Sequence, residues 1–170
     1  SRTTIGYMSQ VVHYPENLTP SDLISMVRGV RPKGTVDIAD ELTEDMQLNG
    51  HMNKPMRALS GGTRQKVGTV LAFMFRPTTL LLDEPTAGLD PVVTERLKER
   101  IISVRDSGTT VLITSHVLSE IQELANRIIY LHEGQPIFDG TVDELLARTG
   151  HVVLSRAVAS IMNPNGRVEP

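Results

Sequence analysis

Hydrophobic positions in this chain fall into short runs separated by Pro, Gly and polar clusters, and the period of each run predicts its element. Residues 3–9 read as a strand that delivers Gln10 at its end. Thr19 followed by Pro20 is a helix start, and the helix should run to about Arg28. Arg31-Pro32-Lys33-Gly34 breaks the chain. Asp37 can cap a second helix that runs to about Leu48 and stops at Asn49-Gly50. Ser60 can cap a third, which should run to Arg76 and end before Pro77. Residues 79–82 read as a short apolar strand of the kind buried in a parallel sheet. Pro91 opens a helix to about Val104, closed by Ser107-Gly108. Residues 109–114, rich in β-branched side chains, read as the next strand. A helix at 118–125 follows, then a strand at 127–132 that turns at Glu133-Gly134 into another at 136–139, and a helix at 142–148. Residues 152–154 could form a strand, and Asn163-Pro164-Asn165-Gly166 has the composition of a frayed end.

From residue 79 onward strands alternate with helices, which predicts an α/β fold with a mostly parallel sheet. Residues 11–77 are nearly all helix and loop, an inserted helical lobe. The expected organisation is a first sheet strand and loop at 1–10, the lobe at 11–77, an α/β core at 78–150 and a tail at 151–170. At 170 residues the chain can bury a real core. A net charge of -3 gives no global basic field, so nucleic acid is not an expected partner. The absence of Cys excludes a disulfide framework or a thiolate metal site and fits a reducing compartment. The longest uncharged apolar stretch, 67–75, is too short to cross a bilayer, and the opening residues do not read as a signal peptide.

The chemistry begins where Leu80-Leu81-Leu82 runs into Asp83 and Glu84. The C-terminal end of a parallel strand is where α/β sheets bind ligands. A carboxylate there can hold Mg²⁺, directly or through water, because a hard cation takes oxygen ligands. Glu84 should point elsewhere, since strand side chains alternate. One acid can then serve a metal while the other polarises a water, the layout for in-line attack on a nucleotide phosphate. Taken alone, the pair also describes a strand entering a turn. Ser60-Gly61-Gly62, after Leu59, opens a helix with bare backbone amides, and such a terminus attracts phosphate through free N–H groups and the helix dipole. His116 follows a strand after Ser115, on the same predicted edge as the two acids, where it could reach a terminal phosphate. Gln10 ends another strand in the same way.

In this order, Gln10, Leu59-Ser60-Gly61-Gly62, Leu80-Leu81-Leu82-Asp83-Glu84, Gly88-Leu89-Asp90-Pro91 and His116 resemble the nucleotide-binding subunits of ATP-binding-cassette (ABC) transporters, over residues 6–146. That resemblance implies a P-loop NTPase-type sheet, incomplete here, and the use of ATP and Mg²⁺. It makes Gln10 the Q-loop glutamine that touches Mg²⁺ and links to the membrane subunit. Ser60, Gly61 and Gly62 become the signature that closes on the γ-phosphate of ATP held by the opposite protomer. Asp83 becomes the Walker B metal acid, Glu84 the general base, Asp90 the D-loop acid that communicates across the dimer, and His116 the switch histidine on the γ-phosphate. Thr63 departs from the Gln common there, which alters the flank of the signature but not its glycines. The partners implied are a second nucleotide-binding subunit and an integral membrane subunit docked near residues 11–22, at the cytoplasmic face of the cell membrane. Tyr14-Pro15-Glu16-Asn17-Leu18-Thr19 resembles export-type cassettes, and residues 59–67 resemble the copper-processing cassette that supports nitrous-oxide reductase maturation. Rival readings are a soluble non-transport ABC ATPase, of the DNA-repair or translation-factor class, and a non-enzymatic interaction fragment.

One part of the pattern does not occur. A P-loop needs Gly-Lys followed by Ser or Thr, and none of the 13 glycines precedes a Lys. The expectation is a fragment whose parent is an ATPase but which is inactive alone. By the resemblance, the P-loop strand lies between the strands at 109–114 and 127–132. Without it both neighbours should carry unpaired N–H and C=O groups. Residues from Arg127 onward are therefore expected to swap between chains or to pack differently from an intact cassette, and the chain to self-associate.

Overall fold

A computed structural model describes residues 4–11 and 13–162. The chain forms two compact units, Ser1–Thr114 and Ser115–Pro170. The first holds β1 (Ile5–Met8), α1 (Pro20–Gly29), α2 (Ala39–Asp45), α3 (Gly61–Phe73), β2 (Thr79–Asp83), α4 (Pro91–Asp106) and β3 (Thr110–Thr114). Its three strands form one parallel sheet in the order β1-β2-β3. Leu80 lies between Gly6 and Val111, and Leu82 between Met8 and Ile113. These residues share one face, where Met8, Leu80 and Leu82 are fully buried with Val67, Val70, Phe73, Leu97 and Ile101. Gly6 is set by this packing, because a Cβ there would lie 2.1 Å from the Ala72 carbonyl oxygen of α3.

The opposite face of the same sheet is open. It carries Ile5, Tyr7, Leu81, Asp83, Leu112 and Thr114, with Tyr7 63% and Leu112 59% exposed. The expectation of a strand at 79–82 buried as in a doubly covered sheet therefore fails on one face, since α3 and α4 pack on a single side of the sheet.

Helix ends follow local chemistry. Thr19 and Asp22 form a reciprocal capping box and Pro20 occupies the first turn, so α1 starts where its sequence says. Asp37 accepts the Ala39 N–H at 2.8 Å, which helps start α2. That helix ends at Asp45, short of the expected Leu48, because Gln47 turns to φ 55 before a single 3₁₀ turn at Asn49–His51. Similarly α3 ends at Phe73 rather than at Arg76, which sits at φ 46. The Met74 carbonyl, just past the helix, takes the Ile38 N–H at 2.8 Å.

The second unit holds α5 (Leu118–Leu124), β4 (Arg127–His132), β5 (Gln135–Thr141), α6 (Val142–Thr149) and α7 (Leu154–Met162). β4 and β5 form an antiparallel hairpin whose two-residue loop, Glu133-Gly134, has positive φ at both positions, as a type I′ turn requires. Residues 152–154 do not form a strand. Leu154, Ala157, Val158 and Ile161 recur at helical spacing and pack α7 into a core with Ile128, Phe138, Val142 and Leu145. The frayed-end expectation for 163–166 lies outside the described residues. Among the described strands, β3 pairs with β2 alone and β4 with β5 alone.

Candidate functional site

The site grows from the C-terminal edge of the three-stranded sheet. Asp83 ends β2 on the open face. Its carboxylate accepts the Thr114 hydroxyl from the end of β3 and, at 3.4 Å, the Gln10 N–H from just past β1. Parallel strands thus bring Gln10, Asp83 and Thr114 to one edge, the usual ligand edge of such sheets. Glu84 has already left the strand. Its φ of 49 is left-handed, so strand alternation does not set its direction and the expected reason for separating the two acids does not operate. The Glu84 N–H donates to Thr114 O at 2.9 Å, and its carbonyl accepts the Ala87 N–H at 3.1 Å.

The N-terminus of α3 meets the turn that follows. Ser60 caps the helix by accepting the Thr63 N–H at 3.2 Å. A Cβ on Gly62 would lie 2.2 Å from the Gly88 carbonyl oxygen, whereas one on Gly61 meets nothing within 4 Å. The second glycine is therefore required by space, and the first is not. Asp90 caps α4 through the Val93 N–H at 3.0 Å and pairs with Lys66 of α3 at 2.9 Å. The Lys66 ammonium, with the Val93 N–H, holds the Asp90 carboxyl below the usual carboxylate range. His116 belongs to the second unit, exposed in the stretch before α5. Ser115 Oγ beside it accepts the Val117 N–H at 3.0 Å.

The donor set has the right chemistry for a hard cation but is small. Asp83 and the Gln10 side-chain amide offer oxygen ligands, and among the described residues no three His, Cys, Asp or Glu side chains gather to hold a metal. These residues fit a Mg²⁺ whose remaining ligands come from phosphate and water.

Two features of the segment from 11 to 22 bear on docking. His13 and Pro15 are exposed, but Tyr14 is half-buried and burial pushes its phenol up to about 12. Tyr14 is therefore not one of the exposed side chains of this segment. Three residues that chemistry alone did not single out also shape the site: Gln65, Lys66 and Thr114. Gln65 and Lys66 lie three and four positions past Gly62, on the helix face that Gly62 turns toward the 84–90 loop, and that spacing was their visible signal. No helix among the described residues is long and apolar enough to cross a membrane.

A parallel sheet with a capped, glycine-opened helix and adjacent acids at its edge defines a nucleotide-binding α/β domain. An ABC transporter family model matches residues 1–87, and the chain belongs to that family, in its ATP-binding domain. The uncharacterized ABC transporter ATP-binding protein YhaQ of Bacillus subtilis is 33% identical over 144 residues, covering 83% of this chain and 48% of that protein. The daunorubicin resistance ATP-binding protein DrrA3 of Streptomyces coeruleorubidus is 41% identical over 112 residues, 66% of this chain and 35% of that protein. A solved ATP-binding subunit of an ABC transporter superposes with a TM-score of 0.85 at 23% identity, over 95% of this chain and 69% of that one, and so supports the fold. The chain spans about half the length of relatives such as YhaQ.

Proposed function

We propose that this chain supplies the catalytic base and signature half of an ATP-hydrolysing subunit that powers an ABC transporter. The observation that carries the reading is the gathering of Asp83 and Gln10 at one strand edge, with Glu84 held between β3 and the turn that abuts the Ser60-Gly61-Gly62 helix terminus. In this reading Glu84 accepts the proton of the attacking water. Free amides at the start of α3 donate to the terminal phosphate of a nucleotide bound by the opposite protomer, where negative charge develops. His116 contacts the γ-phosphate that Glu84's water attacks, and Asp90, fixed by Lys66, lies beside the signature at the dimer face. Asp83 and Gln10 would hold Mg²⁺, which supplies neutralising charge between phosphate oxygens when bound. With no Gly-Lys in the sequence, the phosphate cradle comes from elsewhere in the assembled enzyme, and the chain alone is inactive.

The direction proposed is export, supported by the 14–19 stretch and by a relative named for daunorubicin resistance. A copper-related substrate rests on residues 59–67 alone; neither relative described above carries copper in its name. The membrane subunit docks near residues 11–22, with His13 and Pro15 the exposed contacts, which places the protein peripherally at the cytoplasmic face of the membrane. Substitution Glu84→Gln in the assembled ATPase is the test. Gln keeps the shape but takes no proton, so turnover should be lost while ATP binding persists. Wild-type turnover would remove Glu84 from its role and the reading with it.

A further inference from the structure

The Glu84 backbone is held in an unfavourable conformation, and one side chain from outside the loop reaches it. Left-handed φ is disfavoured for a residue with a Cβ and persists where surrounding contacts over-determine it. On the N-terminal side of Glu84 its N–H is fixed to Thr114 O at 2.9 Å. On the C-terminal side, Gln65 Nε2 of α3 donates to Glu84 O at 3.1 Å and lies 3.5 Å from Pro85 O. Gln65 is 4% exposed, so its amide is removed from water, and a donor in that position must find an acceptor. Its place in the helix is itself fixed. Thr69 donates to Gln65 O at 3.2 Å, Gly62 abuts Gly88 one turn earlier, and Lys66 grips Asp90 on the far side of the loop.

We infer that Gln65 is a positioning residue for Glu84: its buried amide clamps the left-handed turn to the signature helix, so that any displacement of α3 is passed to the carboxylate. Glu84 thus moves with the helix whose N-terminus, in the proposed function, faces the nucleotide of the opposite protomer. This rests on the reading of Glu84 as the general base, but the clamp itself is a contact within the first unit. Small misplacements of a reacting group cost rate steeply. Removing the clamp should therefore lower kcat and leave KM nearly unchanged, since Gln65 touches no substrate.

The test compares Gln65→Leu and Gln65→Met, both close in size to Gln, with Glu84→Gln. Neither Leu nor Met can donate a hydrogen bond to the two carbonyl oxygens. Turnover is measured in the assembled ATPase, and amide hydrogen exchange on the 170-residue chain itself. Both Gln65 variants should lose about 10–100-fold in kcat with KM within about twofold. Exchange should rise at Glu84 and Ala87 while the ladder of β2 and β3, from Leu80 beside Val111 to Leu82 beside Ile113, stays protected. The inference is overturned if either variant keeps wild-type kcat and wild-type exchange at Glu84, or if ladder protection is lost along with activity in both, which would make Gln65 a plain core residue. If one variant fails to fold, the other decides. Should Glu84→Gln abolish turnover while the Gln65 variants turn over normally, only the positioning role falls; should Glu84→Gln turn over normally, the base assignment falls first.

Discussion

The two faces of the three-stranded sheet are built to different standards. On one, Met8, Leu80 and Leu82 are at most 2% exposed beneath α3 and α4. On the other, Tyr7 and Leu112 stand 63% and 59% exposed in line with Asp83. The packed face does the folding, and it also holds the 84–90 turn, because α3 reaches past the sheet edge to Glu84 and Asp90. The open face carries Asp83, whose carboxylate accepts from Thr114 and Gln10. Structure and chemistry are thus assigned to opposite sides of one strand whose residues differ only by alternation.

The sharpest way to break that contrast is to shave each face equally. Leu82→Ala should cost about 2–5 kcal/mol, because it opens a cavity in a fully buried site. Leu112→Ala on the open face should change stability by no more than about 0.5 kcal/mol. Urea denaturation of both variants reads the difference, and equal losses would show the open face to be covered in solution.

Next in size is the pair of signature glycines. Gly62→Ala forces a Cβ against the Gly88 carbonyl at 2.2 Å and should cost about 1–3 kcal/mol through displacement of the loop. Gly61→Ala meets open space and should leave the melting temperature unchanged or slightly raised. Thermal melts separate the two. A neutral Gly62→Ala would mean that α3 is not seated on the 84–90 loop.

Smaller still is the Lys66–Asp90 contact. The folded-state pKa of Asp90 is depressed, first by Lys66, so its stabilisation is present above the unfolded carboxylate value and fades as pH falls through the folded one. Asp90→Asn should therefore melt slightly below wild type at neutral pH, with the gap closing in acid as wild-type Asp90 becomes protonated. Because the pair is partly exposed, salt should shrink the neutral-pH gap. A gap that is constant from neutral to acid pH would show that the charge of Asp90 does not contribute.

Much of the frame was legible where a local rule has one outcome. Thr19-Pro20 with Asp22 could only start a helix, and the run from Arg127 to His132 before Glu133-Gly134 could only be a hairpin strand. Legibility failed where tertiary contacts overrode the local pattern. Gln47 and Arg76 adopt positive φ although neither is Gly or Asn, so α2 and α3 stop earlier than their composition suggests. The β-branched pair Val152-Val153 suggested a strand, yet the Leu154, Ala157, Val158 and Ile161 spacing governs that stretch once a core is available. In the site, the motif residues announced themselves, while Gln65 did not. A glutamine inside a helix is ordinary until the structure shows which carbonyl it reaches.

In the proposed function these residues carry the base, the metal acid and the signature of an ATPase but not its phosphate cradle. Titration of the isolated chain with ATP and Mg²⁺ by calorimetry tests it most directly. No binding is expected at micromolar concentration, because the Gly-Lys pattern that cradles the β- and γ-phosphates occurs nowhere in the sequence. Saturable micromolar binding by the chain alone would contradict it.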